Sequence, residues 1–162
     1  MKTFPKVSVL MPNYNAWKYI SEAIQGILNQ TFTDFEFIII DDCSTDNSWE
    51  IIQEFAKKDE RIVALRNDEN LKICKTLNKG IEIAKWEYIA RMDSDDISLP
   101  NRFELQMNEF KKDDTLSLVG GMITEFAETP ENIISKRILP CSDAEIKQFM
   151  KSRCGVNHVT II

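Results

Sequence analysis

Short, predominantly apolar runs alternate along this sequence with stretches that are apolar at every third or fourth position. A strand that is apolar throughout is buried on both faces, the condition of a strand inside a parallel sheet, whereas a half-exposed strand alternates apolar with polar. The intervening stripes are those of amphipathic helices, which cover the sheet and carry the chain back for the next parallel strand. The fold class that follows is α/β: a Rossmann-like, mostly parallel sheet with helices on both faces.

Residues 7–11 form the first run, bounded by Pro12 and Asn13, and Ile20, Ala23, Ile24, Ile27 and Leu28 mark the first helix. A second strand over 35–40 stops at Asp41-Asp42, and Asn47 with Glu50 three residues on is the signature of a capped helix bearing Trp49, Ile52, Phe55 and Ala56. A third strand (62–65), a helix marked by Leu77, Ile81 and Ala84, and a fourth strand (88–92) lead into Asp93-Ser94-Asp95-Asp96. Pro100 opens a helix carrying Phe103, Met107 and Phe110, and residues 116–123 read as a further strand. Beyond them lie a weaker strand candidate (133–139) and a capping box, Ser142 to Glu145, ahead of Ile146, Phe149 and Met150. Residues 159–162 are apolar and β-branched, as though the chain stopped inside a strand, so a piece of a longer protein is expected.

A chain of 162 residues, 43% hydrophobic, suits one domain over residues 1–162. Its 26 acidic against 20 basic residues, net charge -6, exclude a nucleic-acid partner, because affinity for a polyanion comes largely from basic side chains. A phosphate ligand would need a metal cation or backbone amides. Cys43, Cys74, Cys141 and Cys154 lie far apart, with no C-x-x-C pair and no histidines at zinc spacing, so free thiols are expected. Met1 to Lys6 and the five-residue, largely apolar run after them are too short for a signal-peptide core or a membrane span, which points to a cytoplasmic protein.

In an open parallel sheet, ligands bind outside the carboxyl ends of the strands. Three polar clusters fall there: Pro12-Asn13-Tyr14-Asn15, Asp41-Asp42 and Asp93-Ser94-Asp95-Asp96. Five carboxylates at one edge repel one another unless a cation is present, and Mn²⁺ or Mg²⁺ takes such oxygen ligands together with those of a diphosphate. Alternate residues of an extended segment share a side, so Asp93 and Asp95 reach one ligand together; alternatively Asp95, Asp96 and Ser98 cap the helix near Pro100. Asp41-Asp42 reads either as turn and helix cap or as an acceptor for the N–H of a nucleobase. Tyr14 either stacks on a base or fills the space between strand and helix. His158 stands alone near the apolar end and reads as structural.

Residues 7–15, 27–36, Asp41-Asp42-Cys43-Ser44-Thr45-Asp46, Asn78-Lys79-Gly80 and residues 88–96, continuing through Leu99-Pro100-Asn101-Arg102 to Asn157-His158, together resemble the family 2 glycosyltransferases of GT-A fold. The resemblance implies an inverting enzyme that moves a sugar from a nucleotide-sugar donor, usually a UDP-sugar, to an acceptor hydroxyl. It implies that Pro12, Tyr14, Asn15, Asp42, Asn78 and Asp93 bind the donor. Within that set Asp42 takes the base edge, Tyr14 packs on the base and Asp93 sits by the ribose or sugar. Asp95 would ligate Mn²⁺ or Mg²⁺ on the diphosphate. The general base, with most of the acceptor site, would lie beyond Ile162. Carbohydrate, lipid-linked and protein acceptors stay open, as does peripheral membrane association of the full-length protein. Cys43, Lys72 and Trp86 stand where the family usually has glycine, a residue used for positive φ or close backbone approach. Two rival readings remain: a nucleotidyltransferase, although residues 12–15 lack the glycine and lysine of its loop, and a non-catalytic nucleotide-binding or interaction module.

Overall fold

The computed structural model describes residues 7–162, so the amino-terminal part of the targeting argument, residues 1–6, lies outside the described residues. Four strands, β1 (Val7–Asn13), β2 (Phe35–Asp41), β3 (Ile62–Arg66) and β4 (Tyr88–Arg91), form one parallel sheet in the order β3-β2-β1-β4. Helices α1 (Ile20–Leu28), α2 (Ser48–Ala56) and α3 (Lys72–Ile83) connect them, and α4 (Arg102–Lys112) follows β4. Among the described residues no helix is long and apolar enough to cross a membrane.

Alternation of side chains along each strand sorts the core into two layers. Val7, Val9 and Met11 of β1 and Phe35, Phe37 and Ile39 of β2 pack with Ile20, Ile24 and Ile27 of α1, Ile52 of α2, and Phe103 and Met107 of α4. Phe35 and Phe103 meet edge to face at 5.9 Å. On the opposite face Leu10, Ile38 and Ile40 pack with Leu77 of α3 and with Ala84. Each of the buried Val, Leu, Ile, Phe and Met side chains of β1, β2, α1, α2 and α4 contributes about 1.5–3 kcal/mol by leaving water. Glu36 is buried on that second face, where Ser8 Oγ (2.7 Å) and the Lys85 N–H (2.8 Å) donate to it and tie the end of α3 to the sheet.

β1 runs two residues past its expected end. Pro12 is tolerated because its missing N–H would point toward β4, and β4 pairs only as far as Leu10↔Arg91. The carboxyl end of α1 reaches α4 through Gln30, whose Oε1 accepts from the Phe103 N–H (3.0 Å) while its Nε2 donates to the Leu99 carbonyl (2.7 Å). Gln30 therefore does the work expected of Asp95, Asp96 and Ser98, and those residues are not the cap of α4. Similarly, Asp46 rather than Asn47 serves the start of α2, its Oδ1 accepting from the Ser48 N–H at 2.9 Å.

The strand expected over 116–123 does not form. Gly120 and Gly121 interrupt it with no side chains to pack, and only Ile123 enters a strand: β5 (Ile123–Phe126), paired antiparallel with β6 (Ile133–Arg137) as a separate hairpin. Val119 instead exchanges two backbone hydrogen bonds of 3.0 Å with Ile162, and the Arg91 N–H donates to the Ile161 carbonyl (3.0 Å). Residues 158–160 form a 3-10 turn rather than a strand, so only the last two residues lie extended beside β4. The last helix, α5 (Asp143–Phe149), carries the expected capping box: Ser142 Oγ accepts from the Glu145 N–H, and the Ser142 N–H donates to Glu145 Oε2.

Asn15, Cys43, Lys72 and Glu128 have φ of 53°, 61°, 67° and 64°, the left-handed region. Asparagine adopts it readily, but Cys43 and Lys72 carry the steric cost that a glycine would avoid. Trp86 is not among these residues, so positive φ is no reason for a glycine there. Cys43→Gly and Lys72→Gly are each expected to stabilise the fold by about 0.5–1 kcal/mol after allowing for the looser unfolded chain, measured by urea denaturation.

Candidate functional site

The polar clusters gather where the sequence places them, at the carboxyl ends of β1, β2 and β4. A cleft of about 180 Å³ opens there on the α3 side of the sheet. Pro12, Tyr14, Asp42, Asp93 and Asp95 all line it, joined by Asn13, Ser94 and two residues of α3, Ile73 and Thr76.

The two aspartates that end β2 have different fates. Asp41 is fully buried, with Asn13 Nδ2 (2.8 Å) and the Ser44 N–H (3.0 Å) donating to it and Arg66 Nε at 3.3 Å. Asp42 faces the cleft. Asn67 Nδ2 (2.7 Å), the Leu71 N–H (2.8 Å) and the Lys72 N–H (2.8 Å) donate to its carboxylate. Burial pushes this carboxyl up, but its hydrogen bonds with Asn67, Leu71, Thr76 and Lys72 outweigh burial and hold it below the ordinary value. Asp42 is therefore also the anchor of the 67–72 loop.

Asn15 supports the loop rather than lining the cleft. Its Oδ1 accepts from the Thr45 N–H (2.8 Å) and its N–H donates to Ser44 Oγ (2.9 Å), leaving neighbouring Tyr14 half exposed at the cleft wall. Asn78 lies exposed on α3 and is not brought to the cleft; Ile73 and Thr76, earlier on the same helix, supply that wall. Asn13 was not singled out by sequence, yet among the described residues its buried Oδ1 has no hydrogen-bond partner beside the cleft. Its position within the 12–15 cluster was the available signal.

Asp93, Asp95 and Asp96 place carboxylate oxygens within 4.8 Å of one another. Arg91 steers the first of them, with Nη2 at 2.7 Å from Asp93 Oδ1. Burial and the neighbouring Asp93 and Asp95 carboxylates push Asp96 above its ordinary value. Beneath the cluster, burial lowers Arg102 to about 10, and its Nη2 donates to the Arg91 carbonyl at 2.7 Å. Three mutually repelling oxygen donors fit a hard divalent cation, which would relieve the repulsion. His158 is exposed near the end of the described chain, and all four cysteines are free.

The sequence profile of glycosyl transferase family 2 matches residues 8–161. The chain belongs to that family. An uncharacterized glycosyltransferase of Haemophilus influenzae is 36% identical over 137 residues, covering 85% of this chain and 42% of the relative. The family 2 chain thus spans less than half of that relative's length. Staphylococcus aureus TarS 1-349, solved in complex with UDP, is 29% identical with a TM-score of 0.61 over 66% of this chain and 32% of its own. Mannosyltransferase PcManGT from Pyrobaculum calidifontis, solved with GDP-Man and Mn²⁺, is 20% identical and has a TM-score of 0.65 over 81% of this chain and 38% of its own. The expected GT-A fold is the one observed.

Replacing Asp42 by Asn sets an amide N–H₂ against donors and is expected to cost about 1–3 kcal/mol at neutral pH. Because the folded carboxyl is held below its unfolded value, its contribution is complete above that value, about 4, and is lost as pH falls through the lower folded one. Urea titrations from pH 7 down to pH 2 are expected to show a shallower acid loss in Asp42→Asn than in the parent.

Proposed function

We propose that this family 2 chain is the donor half of a glycosyltransferase, binding a nucleotide-sugar, a UDP-sugar foremost, for transfer to an acceptor hydroxyl with inversion. The observation that carries this reading is the convergence of Tyr14, Asp42, Asp93 and Asp95 on one cleft at the carboxyl edge of a parallel sheet. UDP in the TarS neighbour supports the choice of nucleotide.

Tyr14, half exposed and free to present its ring, packs on the base, and Asp42 takes the base edge at the α3 side. Asp93, fixed by Arg91, accepts from a ribose or sugar hydroxyl. Asp95, with Asp93 and Asp96 at hand, would hold Mn²⁺ or Mg²⁺. When bound, the cation supplies electrostatic stabilisation of the negative charge that develops on the departing nucleoside diphosphate. Inversion requires a base that removes the acceptor's proton on the face opposite the leaving group. We assign that base and the rest of the acceptor site to the portion of the relatives that the present chain does not span. A reducing, cytoplasmic setting accords with four free thiols.

Calorimetric titration of the 162-residue chain with UDP, with and without Mn²⁺, tests the reading. UDP is expected to bind only with Mn²⁺. Asp95→Ala should abolish that Mn²⁺-dependent binding without loss of stability; Mn²⁺-dependent binding that survives in the variant removes the metal assignment. Tyr14→Ala is expected to weaken UDP by about five- to tenfold, the worth of one stacked base, while leaving the fold intact.

A further inference from the structure

Two depressions flank the β5–β6 hairpin, and their charges are sorted. On one side a groove of about 430 Å³ is lined by Asp95, Asp96, Glu125 and Glu128, with no basic residue among the described residues. On the other a cleft of about 810 Å³ is lined by Lys136, Arg137, Arg153 and His158, with no Asp or Glu among the described residues. Ile123 lines both. In a chain with 26 acids and 20 bases, a cleft lined by basic side chains and no carboxylate among the described residues runs against the composition.

Only part of this basic charge is neutralised. Arg137 is paired with Glu125 across the hairpin. Lys136, Arg153 and His158 have no carboxylate within ion-pair distance among the described residues, and Arg153 lies on the ring of Phe149 with its guanidinium carbon 4.9 Å from the centroid. Like charges gathered without counter-charge raise the local affinity for an anion. Ile138, Phe149 and Val156 give the same cleft an apolar wall, suited to the C–H face of a sugar ring. The cleft also adjoins the carboxylate cluster. Ile123 and Val159 line the pocket that contains Asp96.

We infer that this cleft holds an anionic group of the acceptor, a carboxylate or phosphate carried on a saccharide, with Lys136 and Arg153 as its charged walls. The inference rests on the donor-half reading for the word acceptor, but the anion site itself does not depend on UDP. The acceptor would then lie against the basic side of the hairpin, with its reacting end toward the acidic side where the donor's cation is expected.

The test is titration of the full 162-residue chain with two acidic probes, tetragalacturonate and mannose 6-phosphate, against the neutral maltotetraose and mannose. At least one acidic probe should bind about tenfold more tightly than its neutral counterpart, and the preference should vanish in Lys136→Glu/Arg153→Glu. Lys136→Arg/Arg153→Lys should retain it. Equal affinity for acidic and neutral probes, or a preference untouched by charge reversal, overturns the inference. UDP with Mn²⁺ is titrated into the same variants. Unchanged UDP binding shows that charge reversal left the fold intact, while acidic-probe binding without UDP binding supports the cleft and overturns the donor reading.

Discussion

The pairing of β1 with β2 in one register, Val7↔Phe35 through Asn13↔Asp41, decides what the sheet offers at its edge. Because side chains alternate, a slip of one residue would exchange the two faces of β2. Asp41 would leave Asn13 and Ser44 for the α3 side, and Asp42 would take the buried place. The register is held by the core itself: Phe35, Phe37 and Ile39 belong to one layer, Ile38 and Ile40 to the other, and Glu36 finds Ser8 only on the α3 side. The same parity places Pro12 and Asp42 with α3, so the packing of isoleucines fixes the chemistry several residues away.

Positive φ at Cys43 and Lys72 shows where the chain departs from its easiest conformation. Cys43 directly follows Asp42, and the Lys72 N–H is one of the donors to that carboxylate. The left-handed turn at Lys72 begins at the second of two successive amides, those of Leu71 and Lys72, that donate to a single acid. Strain in the loop and satisfaction of a buried carboxylate thus belong to one arrangement, in which several hydrogen bonds outweigh two unfavourable backbone conformations.

Much of this was legible in the sequence because its causes are local. Continuous apolar runs announced β1 to β4, and the position of each acidic or aromatic cluster after a run placed Pro12, Tyr14, Asp42, Asp93 and Asp95 at one edge. What escaped depends on partners distant in sequence. Gln30 caps α4 from 73 residues away, so the nearer Asp95, Asp96 and Ser98 looked like the caps. Residues 116–123 have the composition of a strand, but a strand needs a neighbour, and the pair of glycines delivers only Val119 to Ile162. Asn15 and Asn78 sit inside family-like motifs. Yet one is spent on Thr45 and Ser44, and the other follows the turn of α3 out to solvent.

Among the described residues the β5–β6 hairpin shares no strand pairing with the central sheet. The segment that leads into it is tied down through Val119, whose carbonyl accepts from Gln106, and Thr160 Oγ1 accepts from the Gly121 N–H. Its residues are therefore under little obligation to the core. A change of side chain at Lys136 or Arg137 therefore alters the charge of the hairpin without touching the pairing of the four-stranded sheet or its carboxylate edge.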